Sequence, residues 1–79
     1  MNIQDFKDIH RDKSAVEKLR LLVDTMMMIG SCRVNYSAIA NPEGRAYYQR
    51  EYEGQRQRAE WLYEEIKAAL ERGGKQAVE

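Results

Sequence analysis

Between positions 45 and 58 the chain carries Arg45, Tyr47, Tyr48, Arg50, Tyr52, Arg56 and Arg58, interleaved with Glu51 and Glu53. A guanidinium is a planar fork that grips phosphate or carboxylate through two parallel hydrogen bonds. A tyrosine ring stacks on a base, or fills a pocket at small entropy cost. Together they suit two kinds of partner. One is an anionic ligand such as a nucleotide, with Arg45, Tyr47 and Arg50 nearest the binding end. The other is a protein surface, because Tyr, Trp and Arg dominate interface hot spots. Arg33 and Tyr36 are placed to come near this cluster across the hairpin turn. The plain structural alternative has Tyr48 and Tyr52 packed inward and the charged residues paired along one helix, Arg50 with Glu53 and Glu51 with Gln55.

Other reactive side chains form no constellation. A nucleophile and base would have to be Cys32, or a serine, with the single histidine, His10. Neither lies in a recognised local motif. Cys32 reads as a small buried hydrophobe and His10 as an exposed residue at a helix end. Glu64 and Glu65 are neighbours, so on a helix they point about 100° apart and make no acid–base pair. Glu60, Glu64 and Glu71 suit a solvated acidic face. There is no Gly-rich phosphate loop, His-Glu-x-x-His or EF-hand spacing. One Cys excludes an internal disulfide, and one Cys with one His excludes an ordinary structural zinc site. The expectation is a non-enzyme without cofactor or metal.

Met26, Met27 and Met28 form an adaptable apolar run. Successive residues turn by about 100°, so the three methionines cannot share one helix face. Some of them must meet another subunit or water. Trp61 falls outside the apolar seam of its own helix and makes the same demand. These four residues are the expected self-association contacts.

The elements that hold these residues are helical. Apolar residues recur at steps of three and four, and neither Asn-Gly nor Asp-Gly hairpin signals occur. Ser14 and Glu17 form a capping box at the start of a first long helix, about 14–39. Its apolar positions are Val16, Leu19, Leu22, Val23, Met26 and Ile29, widened by Leu21, Met27 and Met28. Gly30 interrupts this run, and the spacing of Cys32, Val34 and Ala38 favours continuation, with Gly30 as a point of close approach. The alternative ends the helix near Met28 and leaves 30–41 as a loop. Asn41, Pro42 and Glu43 then supply an N-cap, a first helical residue and a dipole partner. The second long helix runs about 42–72 and stops at Gly73-Gly74. Tyr48, Tyr52, Gln55, Ala59, Leu62, Ile66 and Ala69 make its inward seam, alternating by four and three as in a coiled coil. Ile3, Phe6 and Ile9 mark a short helix over about 3–10 that folds across the end of the hairpin. Residues 73–79 read as a frayed tail.

The predicted fold is therefore all-α: a single helical domain over 1–79, an antiparallel hairpin of two long helices with a short N-terminal helix, packed into an oligomeric bundle. A core this small supports only about 3–5 kcal/mol of net stability, which favours a second subunit. No run reaches the ~18 apolar residues of a membrane span, and the start lacks a signal-peptide pattern, so a cytoplasmic, membrane-free protein is expected.

Charge narrows the function. The 13 basic and 13 acidic residues cancel, which argues against nucleic acid as a partner. They separate along the second long helix, with four Arg against two Glu over 45–58 and four Glu against one Lys over 60–71. The helix dipole reinforces the basic end and favours an anion near the turn. In an antiparallel self-assembly the basic half of one chain can also face the acidic half of another. The leading expectation is a small interaction protein that self-associates and occludes or assembles a partner protein. Compact helical chains of this size are common among phage and mobile-element accessory and inhibitor proteins, an analogy of shape alone. The second expectation is an oligomer that sequesters an anionic nucleotide through the Arg/Tyr cluster, a plan similar to that of some phage proteins that sequester cyclic-nucleotide signals. The third is nucleic-acid binding by the same half-helix, with a steep salt dependence as its signature. The binding residues expected are Arg33, Tyr36, Arg45, Tyr47, Arg50, Arg56 and Arg58.

Overall fold

In the computed structural model, which describes residues 2–78 and the side chains of residues 2–73, three helices follow in order. They are α1 (Ile3–His10), α2 (Ala15–Ala38) and α3 (Pro42–Val78), with no strand among the described residues. The two long helices pack against each other as a hairpin and α1 lies on α3. The long dimension is 57 Å. That is close to the ~56 Å expected of α3 alone at 1.5 Å per residue, so one helix sets the length of the molecule.

Local chemistry fixes each start. Asn2 caps α1, its side chain accepting from the Asp5 N–H at 2.8 Å. Ser14 caps α2, its hydroxyl accepting from the Glu17 N–H at 3.2 Å and donating to Glu17 Oε1 at 3.2 Å. The Glu17 carboxylate thus meets the Ser14 hydroxyl within the capping turn. Asn41 Oδ1 accepts from the Glu43 N–H at 2.8 Å and the Gly44 N–H at 3.4 Å. These contacts satisfy amide groups that a helix start leaves without partners.

The turn is closed from both sides. The Ile39 N–H donates to the Asn35 carbonyl at the end of α2. Arg45 Nε reaches back from α3 to the Ile39 carbonyl at 2.7 Å. A Cβ on Gly44 would lie 2.9 Å from Ile39 Cγ2, closer than real contacts allow. The close approach of the hairpin is therefore at Gly44. At Gly30 a Cβ meets nothing within 4 Å and the helix runs through without interruption. The close-approach role predicted for Gly30 is corrected accordingly.

The core is a thin seam. Leu62 is fully buried, and Gln55, Cys32, Thr25 and Lys18 are buried beside it. Lys18, Thr25 and Cys32 follow one heptad apart on α2, and Gln55 and Leu62 do so on α3, which is how two helices keep one face together over a long contact. Thr25 answers its buried hydroxyl by donating to the Leu21 carbonyl at 2.7 Å. Phe6 is the buried residue of α1 and meets the Trp61 ring edge-on at 5.8 Å.

One expectation about the helix ends differs from the structure. Helix α3 continues past Gly73-Gly74 to Val78. Neither described glycine adopts a positive φ, so no left-handed stop forms; helical Gly costs about 1 kcal/mol relative to Ala without forbidding the conformation. Phe6 of α1 meets one edge of the Trp61 ring, which is half-buried and lines an open groove between α1 and α3.

Candidate functional site

The structure divides the expected Arg/Tyr cluster into separate settings. Arg33 and Tyr36 on α2 meet Tyr48, Gln49 and Tyr52 on α3 around a cavity of about 320 Å³, with Cys32 and Ser37 completing its wall. Cys32 is buried at the floor, while Arg33, Tyr36, Ser37 and Gln49 are exposed around the mouth. Burial pushes the Cys32 thiol above its ordinary range, and the nearby Glu51 carboxylate adds to this. A thiol so held is a poor nucleophile.

Several contacts fix the walls. The Tyr48 ring is held edge-on by Tyr47 at 5.1 Å. The Arg45 guanidinium sits 5.6 Å from the centre of the Tyr36 ring while its Nε is tied to the Ile39 carbonyl. Ser37 donates to the Arg33 carbonyl at 3.1 Å. Gln49 donates to Glu53 at 3.4 Å. The Arg33 guanidinium, among the described residues, forms no ion pair. The cavity thus combines fixed aromatic rings with an uncommitted cation.

The other arginines lie elsewhere. Arg56 pairs with Glu60 on its own helix at 3.1 Å. Arg58 stands over the Phe6 ring at 5.1 Å, inside the contact between α1 and α3. Arg50 is exposed and outside the cavity wall. At about 100° per residue, Arg45 and Arg56 share one side of α3 while Arg50 and Arg58 point to others. The pairing seen along α3 joins Arg56 to Glu60 and Gln49 to Glu53, a register different from the pairs read in the sequence.

The self-association candidates also separate. Met26, Met27 and Met28 are all exposed, by 60, 68 and 50 %. Met26 and Met27 belong to a longer apolar stripe with Val16, Leu19, Val23 and Val34, each about half to two-thirds exposed. Steps of three and four put these on one side of α2, roughly 155° from the buried seam at about 100° per residue. Met28 points away from the stripe. Met26 and Leu22 border a shallow apolar hollow with Ala59 and Tyr63 of α3. Met26 and Arg33 are one heptad apart, as are Ala59 and Tyr52, so hollow and cavity open on the same flank. Helix α1 covers a different flank, through Trp61.

His10, read as an exposed helix end, is instead half-buried with its ring 4.5 Å from Phe6. Its Nδ1 is buried without a hydrogen-bond partner. Desolvation, then Lys13 and Arg58, hold its pKa below the ordinary 6.5. This contact was invisible in the sequence because it depends on how α1 lies against α3.

Among the described residues no group of three or more His, Cys, Asp and Glu side chains is arranged to hold a metal ion, and no helix is long and apolar enough to cross a membrane. No protein family, curated protein or solved structure matches this chain.

Proposed function

We propose that the protein is a small non-catalytic helical interaction protein that self-associates through the apolar stripe of α2 and acts by occluding or assembling a partner protein. The observation that carries this is an imbalance between buried and exposed apolar residues. Among the described residues only Phe6, Cys32 and Leu62 are buried hydrophobics, whereas twelve large hydrophobics are exposed. A chain of this size has little core to spare.

The occupant that fits the stripe is a second copy of the chain. The stripe follows a heptad spacing that suits helix-on-helix packing. Tyr63 and Leu70 of α3, also more than half exposed, extend the apolar surface, and a stable interface needs about 800 Å² per partner. Apolar patches on monomers rarely exceed a few hundred Å². Sedimentation velocity at micromolar concentration tests the proposal. A dimer or higher species supports it, and a clean monomer removes it.

A second reading, sequestration of an anionic nucleotide, is favoured by the Arg33–Tyr36 cavity. Thermal stabilisation of the protein by nucleotides, absent with neutral solutes, tests this reading.

A further inference from the structure

We propose that the cavity near the turn is a binding site for a nucleoside phosphate, with the base held among the rings of Tyr36, Tyr48 and Tyr52 and the phosphate on Arg33. This deepens the nucleotide reading and rests on it. It does not rest on self-association, because one chain supplies every wall of the cavity.

Size comes first. A cavity of about 320 Å³ lies at the lower end of the ~300–1,000 Å³ typical of small-molecule sites. It suits one base and one phosphate, not an extended strand. Three of its lining residues are tyrosines from two helices, and a ring between rings gains stacking with little ordering cost. Tyr48 and Tyr36 are already positioned, the first by Tyr47 and the second by Arg45.

Charge favours the same ligand. Arg33 forms no ion pair among the described residues, so its guanidinium has no carboxylate to surrender when a phosphate arrives. Arg45 adds a second positive charge beside Tyr36. Two carboxylates stand nearby, Glu51 acting on Cys32 at the floor and Glu53 accepting from Gln49 at the mouth, and the two guanidiniums balance them. Gln49 and Ser37 at the mouth supply neutral hydrogen-bonding groups for a sugar or base edge. The wider groove between α1 and α3, about 470 Å³, lacks this character: Lys7 faces Glu60 and Glu64 there, with Trp61 as its one aromatic wall.

The test uses the whole chain and three probes, adenosine 5′-monophosphate, adenosine and inorganic phosphate, followed by titration calorimetry and backbone amide NMR. The monophosphate is expected to shift the amides of Arg33, Tyr36 and Tyr52. Adenosine and phosphate should each bind at least tenfold more weakly. Arg33→Gln and Tyr36→Leu, both at exposed positions, should weaken monophosphate binding at least tenfold, with Arg50→Gln as the unaffected control. Absence of shifts at millimolar monophosphate overturns the site. So does phosphate alone reproducing them, or Arg50→Gln weakening binding as much as Arg33→Gln. Concentration-dependent sedimentation tests self-association separately, so failure of one proposal leaves the other readable.

Discussion

Lys18 on α2 holds its ammonium 3.0 Å from Glu65 Oε1 on α3, although only 8 % of the lysine residue is exposed. The same ammonium lies 5.7 Å from the centre of the Trp61 ring. One long side chain therefore joins the two helices and the aromatic residue that receives α1. A charge this buried depends on its partner. Glu65→Gln is expected to lower stability by about 1.5–3 kcal/mol, as for a lost hydrogen bond to a charged group. Glu60→Gln, which breaks only the exposed pair with Arg56, should cost less than about 0.5 kcal/mol. Urea unfolding of both variants decides it; equal losses would refute the bridging role of Lys18.

Leu62 is the one fully buried large side chain among the described residues. Leu62→Ala should remove about 2–5 kcal/mol. That approaches the whole margin of a core this small, about 3–5 kcal/mol. The variant is expected to be largely unfolded at 25 °C by circular dichroism unless association rescues it. A cooperative thermal transition within a few degrees of the parent would contradict the picture of a thin seam.

The sequence exposes what is periodic and hides what is not. Tyr48, Tyr52, Gln55, Ala59, Leu62, Ile66 and Ala69 follow the heptad, and each is buried or half-buried. Asn2, Ser14 and Asn41 act within three residues of themselves, so the helix starts were legible too. The half-buried setting of His10 and the Phe6–Trp61 contact are not legible, because both depend on α1 lying on α3, a contact that no spacing within one helix encodes. The Arg/Tyr cluster was seen as one patch because its residues are adjacent in sequence. On a helix adjacency scatters side chains, so only Arg33 and Tyr36 among the expected binding residues reach the cavity wall.

Stability should fall below neutral pH through His10. Its pKa in the folded chain is lowered from 6.5 by desolvation, then by Lys13 and Arg58. Between 6.5 and the lowered value the unfolded chain binds more protons, so the folded state loses stability as pH drops through this window. Below the folded pKa the loss from this group is complete. Urea midpoints at pH 7.5 and pH 5 should differ more for the parent than for His10→Gln. An identical pH dependence in the two proteins would remove His10 as the cause.

The methionine run tests which face of α2 carries the proposed self-association. Met26 lies in the stripe and beside the hollow with Tyr63, whereas Met28 points off it. Met26→Glu should shift sedimentation toward monomer by burying a charge at the contact. Met28→Glu should leave the sedimentation profile unchanged. If Met28→Glu dissociates the assembly and Met26→Glu does not, the docking face has been assigned to the wrong side of α2.

Gly30, Gly54 and Gly44 provide the sharpest contrast, because they share a helical backbone and differ in what stands before them. Nothing lies within 4 Å of a Cβ at Gly30 or Gly54, while at Gly44 it would meet Ile39 Cγ2 at 2.9 Å. Gly54→Ala should therefore stabilise the protein by about 0.5–1 kcal/mol, the conformational gain of Ala in a helix. Gly44→Ala should destabilise it, since Ile39 is branched at Cβ and stiff at χ1, so its Cγ2 gives way only by leaving its rotamer or shifting the turn. Gly30 faces the same side as Val23 and Val34. In an isolated chain Gly30→Ala should match the gain at Gly54, but in a dimer its new methyl meets the partner helix. The expected result is a variant more stable in dilute solution and weaker in self-association. Denaturant midpoints at several protein concentrations measure both effects at once. A uniform gain at every concentration would show that no second chain approaches Gly30.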